Sequence, residues 1–176
     1  FGGKGLHVAQ TIASLGERVR LVGLVDATSG PAIAALMRER GVEFHGIEVP
    51  GTIRTCLAIR ERDGRITELL ERGPELDAAT REKMLATFRR LAFDADLAVM
   101  SGSLPPDCDD TTYADFVREL QGARVRCLVD ASGEALRLAI EACPFLVKPN
   151  RDEAAALFGK PLGHIADAAT VARMLL

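Results

Sequence analysis

Leu146-Val147-Lys148-Pro149-Asn150-Arg151-Asp152-Glu153 is the stretch that decides the fold. A short apolar run stops there at a lysine and a proline, and Asn-x-x-Glu then opens a helical segment. The same event occurs twice upstream. Leu97-Ala98-Val99-Met100 runs into Ser101-Gly102-Ser103-Leu104-Pro105-Pro106, and Val125–Val129 runs into Asp130-Ala131-Ser132-Gly133. Polar, turn-forming groups thus follow the carboxyl ends of three predicted strands. In open α/β sheets ligands bind at that edge, because strand ends and the following helix N-termini leave a crevice. The pattern predicts an enzyme scaffold whose site suits phosphoryl transfer.

The rest of the chain alternates in the same way. Gly5–Leu15 carries Val8, Ile12 and Leu15 at helical spacing, and Gly16 supplies a stop. Val19–Val25 is a continuous apolar run with one arginine, the pattern of a buried strand. Ser29 and Pro31 start a helix bearing Ile33, Leu36 and Met37; Gly41 ends it, and Val42–Val49 returns to strand. Between 53 and 71 the character changes. Thr55–Ile59 and Arg65–Leu70 are β-prone and flank Asp63-Gly64, a hairpin signal. A hairpin inserted between βα units predicts a small lid projecting from the main sheet. Gly73-Pro74 closes it, and Asp77 caps a long helix with Met84, Leu85, Phe88 and Leu91. Strand 97–100, helix 111–121, strand 125–129, helix 134–142, strand 145–147 and helix 151–158 follow, with Gly159 just past the last. Such alternation predicts an α/β fold with a mostly parallel sheet and helices on both faces.

Composition narrows the function. The 176 residues hold 22 basic and 25 acidic side chains, a net charge of −3, with no block of like charge. Nucleic acid is not expected as a partner, and no basic amphipathic stretch points to a membrane surface. No apolar run approaches the roughly 18 residues of a spanning helix. Cys56, Cys108, Cys127 and Cys143 form no C-x-x-C and have no histidine at metal-ligand spacing. They are expected to be reduced thiols of a cytosolic protein. The sequence begins Phe1-Gly2-Gly3-Lys4-Gly5 without a methionine and stops in the apolar helical stretch Val171–Leu176. An internal piece of a longer protein is therefore expected.

Each candidate site residue has two readings. Gly2-Gly3-Lys4-Gly5 before a helix is either a structural turn or a place where backbone N–H groups meet an anion. Asn150-x-x-Glu153 is either a capping box that needs no ligand, or a carboxylate at a helix start that orders water on Mg²⁺. Lys148 at the strand end suits a nucleotide phosphate. Ser101-Gly102-Ser103 is either a stiff turn or a hydrogen-bonding site for a polyol. Arg54 is either a solvated strand residue or an anion contact from the lid. His45 and His164 read as surface residues.

Taken together, Gly2-Gly3-Lys4-Gly5-x-His7-Val8-Ala9, the Asp63-Gly64 hairpin, Ser101-Gly-Ser-Leu-Pro-Pro106, Asp130-Ala-Ser-Gly-Glu-Ala-Leu136 and Lys148-Pro-Asn-x-x-Glu153 resemble the PfkB family of carbohydrate kinases. The resemblance runs along essentially the whole chain and is narrowest with the phosphosugar branch: 1-phosphofructokinase, tagatose-6-phosphate kinase and the minor 6-phosphofructokinase. It implies a ribokinase-like three-layer α/β sandwich with a small β lid, here 53–71. It also implies ATP and Mg²⁺ as cofactors, and phosphoryl transfer to a hydroxyl of a sugar phosphate. By resemblance Gly2, Gly3, His7 and Ser103 fall at sugar contacts, and Lys4 and Arg54 near the substrate phosphate. Lys148, Asn150 and Glu153 fall on the nucleotide and metal side, Glu153 acting on Mg²⁺ through water. A homodimer joined through the lid is a further expectation.

Two positions depart from the family pattern. His7 stands where members commonly carry Asn, and Ile53-Arg54-Thr55 lacks the hydroxyl that usually precedes the lid arginine. The first strand, the anion hole and the catalytic base are expected outside this sequence, so residues 1–176 alone are expected to be inactive. Alternatives are a kinase of an unphosphorylated sugar or nucleoside, or a sugar-phosphate or nucleotide-binding module without catalysis. Lys4 and Arg54 argue against the first, since two cations suit a substrate already phosphorylated. A dinucleotide oxidoreductase is disfavoured because no Gly-x-Gly-x-x-Gly follows a strand.

Overall fold

The computed structural model describes residues 1–159, 161–164 and 167. The helical face expected from Val171, Met174 and Leu175 lies outside the described residues. The chain divides into two compact units, the first made of residues 1–2, 6–87 and 105–108 and the second of the remainder.

In the first unit, α1 (Lys4–Ser14, its opening residues counted with the second unit) leads to β1 (Arg20–Val25), α2 (Gly30–Glu39) and β2 (Glu43–Glu48). β1 and β2 pair in parallel from Arg20↔Glu43 to Val25↔Glu48. Parallel strands need a crossover, and α2 supplies it, packing on β2. Ile33 and Met37 of the apolar set expected for α2 are buried with Ala9, Val25 and Val42, ringed by Leu6, Leu21, Leu36, Phe44 and Ile53. The stripe expected for α1 from Val8, Ile12 and Leu15 does not enter this cluster, and Leu15 is 76% exposed. Met37 is wholly buried, and burying such a side chain contributes about 1.5–3 kcal/mol. At Gly46 a Cβ would stand 3.1 Å from the Phe44 ring and 3.2 Å from Val25 Cγ2, so glycine lets these two pack beneath the strand. Only Val25 of β1 is fully buried, less than the apolar run predicted. Among the described residues β1 pairs with β2 alone, which leaves its other edge unpaired.

β3 (Cys56–Arg60) and β4 (Ile66–Leu70) form the antiparallel hairpin expected from Asp63-Gly64. Gly64 takes φ 89°, and Asp63 Oδ1 accepts from Arg65 N at 3.0 Å, which is why this dipeptide turns the chain. Every residue of both strands is exposed. α3 (Ala78–Ala92) follows, and Asp77 Oδ1 caps it by accepting from Thr80 N at 2.7 Å.

The second unit holds β5 (Leu97–Ser101), α4 (Thr112–Gly122), β6 (Arg126–Asp130), α5 (Gly133–Glu141), β7 (Leu146–Val147) and α6 (Arg151–Phe158). The three strands are parallel, in the order β5-β6-β7. α4 packs on α5 and on β6, and Val117, Leu120, Cys127, Val129 and Leu136 are buried. The last turn of α3 docks on α4: the Phe88 and Phe116 ring centroids are 4.6 Å apart, and the Arg89 guanidinium lies over Phe116 while donating to Glu119 at 2.9 Å. Both units are α/β with parallel pairing.

Candidate functional site

The carboxyl ends of β5, β6 and β7 lie side by side. Ladder register sets Ser101 against Asp130, and Lys148 N donates to Val129 O at 3.0 Å just past β7. Gly102 N donates to Asp130 O at 2.9 Å. These backbone bonds fix where each side chain starts, so the cluster follows from the sheet rather than from flexible loops.

At its centre is the Asp130 carboxylate, 7% exposed. Oδ2 accepts from Ser101 Oγ at 3.3 Å. Oδ1 faces two ammonium groups, Lys148 Nζ at 3.2 Å and Lys4 Nζ at 3.3 Å. Lys4 Nζ is also 3.6 Å from Glu153 Oε1. Burial pushes the Asp130 carboxyl up, but the ammonium groups of Lys148 and Lys4 outweigh it and hold the group below its ordinary value. The lysines are 47% and 60% exposed while both carboxylates are largely covered. An incoming anion therefore meets the cations first.

Asn150 and Glu153 form a complete capping box at the start of α6. Asn150 Oδ1 accepts from Glu153 N at 2.8 Å, and Glu153 Oε2 accepts from Asn150 N at 2.7 Å. That uses one oxygen of Glu153 and leaves Oε1 toward Lys4. The capping and ligand readings of this pair are compatible in one geometry. For a metal, no cluster of three or more His, Cys, Asp or Glu occurs among the described residues. Mg²⁺ is commonly held by one or two carboxylates together with waters and substrate phosphates. Glu153 Oε1 fits that outer role, and the residues fit a metal that arrives with a nucleotide.

The structure thus brings Lys4, Lys148, Asn150 and Glu153 of the expected set together around Asp130. Ser103 lies exposed in the turn after β5. Gly3 makes the turn into α1 at φ 129°, a backbone conformation that favours glycine. Gly2, His7 and Arg54 belong to the first unit and are exposed there; a Cβ on Gly2 would stand 4.0 Å from His7 Nε2.

Two aspartates went unmarked in the sequence. Asp130 ends a predicted strand, and its buried position beside Lys4 and Lys148 comes only from the fold. Asp26, just past β1, is 5% exposed. Its Oδ1 accepts from Thr28 N at 3.0 Å and Ser29 N at 2.7 Å, and its Oδ2 from Ile53 N at 2.9 Å. The Ile53 amide first, then Ser29, hold its carboxyl below the ordinary value. Ser29 was expected to begin α2; it flanks the helix, but its hydroxyl caps nothing.

A family model described as pfkB family carbohydrate kinase matches residues 1–175. Among solved structures the chain is similar to phosphofructokinase-2 from Escherichia coli in complex with substrates and products, with 28% identity and a TM-score of 0.85 over 99% of this chain and 57% of that one. The tetrameric inhibited form of that enzyme gives 28% identity and a TM-score of 0.83 over 99% of this chain and 58% of that one. A protein of Thermotoga maritima described as a possible 1-phosphofructokinase gives 25% identity and a TM-score of 0.85 over 99% of this chain and 56% of that one. The chain therefore spans 56–58% of the length of these relatives.

Proposed function

The chain belongs to the pfkB family of carbohydrate kinases, and on that premise we propose that the whole protein transfers the γ-phosphoryl group of ATP to a ketohexose monophosphate. The product is the bisphosphate. Fructose 6-phosphate, fructose 1-phosphate and tagatose 6-phosphate are the candidate acceptors. One observation carries this reading: Lys4 and Lys148 meet at a single buried carboxylate oxygen. Two cations, one just past β7 and one at the start of α1, supply the positioning and charge stabilisation on which phosphoryl transfer depends.

Each residue then has a task. Lys148 faces the nucleotide phosphates from the end of β7, and Lys4 stands on the acceptor side at the start of α1. Asp130 sets the spacing of the two ammonium groups and supplies the counter-charge between them. Glu153 Oε1 orients water, with Asn150 fixing the carboxylate through the capping box. Mg²⁺ brought with ATP would neutralise charge on the phosphates. Gly2, Gly3, His7 and Ser103 are assigned to the sugar and Arg54 to its phosphate. We assign the base and the anion hole to a segment outside residues 1–176, which accords with the 56–58% of the relatives' length spanned. Residues 1–176 alone then bind without turning over.

The exposed hairpin supports an assembly through the lid. Leu57 and Leu69 face each other across its strands at 51% and 55% exposure with Ile59 exposed on the same face, while Ile66 and Leu70 are exposed on the opposite face. An apolar patch of this kind marks an interaction surface, and a second copy is the proposed occupant. Leu57→Glu should convert a dimer to a monomer in sedimentation velocity; an unchanged mass would remove the lid from the interface. No helix of the described residues is long and apolar enough to cross a membrane, and all four cysteines are free. Both accord with a cytoplasmic enzyme.

The test is a substrate panel on the full-length protein with ATP and Mg²⁺, comparing the three hexose phosphates with fructose, ribose and a nucleoside. Turnover confined to the phosphorylated sugars is expected. Preference for an unphosphorylated acceptor would move the protein to the other branch, and binding without turnover would make it a non-catalytic module.

A further inference from the structure

Arg54 sits between two backbone amides that are each held by a carboxylate. On one side Ile53 N donates to Asp26 Oδ2 at 2.9 Å. On the other Thr55 N donates to Glu71 Oε2 at 2.7 Å, and Glu71 N returns a bond to Thr55 O at 3.3 Å. Ile53 is also packed against the core beneath β1 and β2. Arg54 is thus carried on a short span fixed at both ends, at the root of a hairpin whose strands are wholly exposed.

We infer that Asp26 and Glu71 are positioning residues for Arg54, fixing the backbone from which its guanidinium reaches an anionic group on the substrate. The inference rests on the kinase reading for the identity of that anion. Its physical basis is separate. Asp26 is a covered carboxylate, and burying such a charge is costly without compensation. Asp26 accepts from the backbone N–H groups of Thr28, Ser29 and Ile53. The charge is therefore used to tie the end of β1 to the root of the hairpin, across 27 residues of sequence. Hydrogen bonds to an ionised acceptor are shorter and stronger than neutral ones. A long arginine side chain on a fixed backbone loses less freedom when it closes on a ligand.

The chemistry of the two carboxylates gives distinct variants. Asp26→Asn keeps one accepting oxygen and loses the other, so either the Thr28–Ser29 pair or Ile53 is released. Glu71→Gln keeps an oxygen that can accept from Thr55 N; Glu71→Ala keeps none.

In the full-length protein, Asp26→Asn and Glu71→Ala should each raise KM for the phosphosugar roughly tenfold, as small misplacements of a binding group do. kcat and KM for ATP should stay within about twofold. Glu71→Gln should restore the wild-type KM. In an Arg54→Ala background neither change should raise KM further, because the group they position is gone. A KM left unchanged by both single variants, or increments that persist undiminished beside Arg54→Ala, would overturn the inference. If Asp26→Asn does not fold, the exposed Glu71 series decides alone. Should the wild-type protein phosphorylate no hexose phosphate, the kinase reading fails by itself. Calorimetric Kd values for the same hexose phosphates then judge the positioning, and values unmoved by Asp26→Asn and Glu71→Ala would reject it.

Discussion

Lys4 and Lys148 share one acceptor: their ammonium nitrogens lie 3.3 and 3.2 Å from the same oxygen, Asp130 Oδ1. Two like charges this close repel unless a counter-charge lies between them. Asp130 is the counter-charge that holds Lys148, just past β7, and Lys4, at the start of α1, beside one another.

Asp130→Asn therefore tests the centre of the site. The amide keeps the shape and removes the charge, so the lysines should splay. Removing one partner of a buried ion pair costs about 3–5 kcal/mol; with both lysines half exposed, a loss of about 1–3 kcal/mol is expected. kcat/KM in the full-length protein should fall by one to two powers of ten, on the order of 1.4–2.8 kcal/mol. Wild-type kinetics in a folded Asp130→Asn protein would show that the lysines need no spacer.

Acid should act on the same group. The folded-state carboxyls of Asp130 and Asp26 lie below the ordinary aspartate value of 3.8. A depressed pKa means that the unfolded chain takes up the proton first. The stability contributed is complete above that ordinary value and drains away as pH falls through the lower folded value. Thermal melts should therefore lose stability chiefly below about pH 4, and Asp26→Asn should flatten that slope. An identical acid slope in the variant would remove Asp26 from the account.

Arg54→Ala in the intact enzyme should raise KM for the phosphosugar by one to two powers of ten, the scale of a charge-assisted hydrogen bond at about 1.5–3 kcal/mol. Steady-state kinetics with the phosphosugar varied is the measurement. Unchanged values would return Arg54 to the solvated surface.

Glu153 separates its two roles by substitution. Glu153→Gln retains a capping-box residue and removes the carboxylate charge. If Oε1 serves the metal, the Mg²⁺ concentration for half-maximal activity should rise about tenfold while Tm holds. A shift in Tm alone would make Glu153 a helix cap and nothing more.

The fold was largely legible because its signals are local. Asp63-Gly64 turns the hairpin through its own bond from Arg65 N. Asp77 caps α3 within its first turn, and Gly41 at φ 74° stops α2. The site was legible only in part. Lys4, Lys148, Asn150 and Glu153 stood out by residue type beside glycine, proline or a helix start. Asp130 did not, since an aspartate ending a strand looks like any turn residue. Its importance comes from Lys4, 126 residues away. Asp26 was hidden in the same way, its third bond reaching Ile53 across a helix and a strand. Ser29 and Pro31 do mark the start of α2, although the Ser29 side chain makes no capping bond.

Gly46 carries a consequence for what the chain tolerates over time. The residue is exposed, so on its outer side any β-forming side chain looks acceptable. Beneath it, however, the Phe44 ring and Val25 Cγ2 fill the space a Cβ would enter. Even alanine requires both neighbours to give way by a few tenths of an ångström together. Drift at this surface position is thus opposed from inside the protein, and a change there is eased when Phe44 or Val25 has itself become smaller. Substitutions at Gly46, Phe44 and Val25 are therefore coupled through that contact.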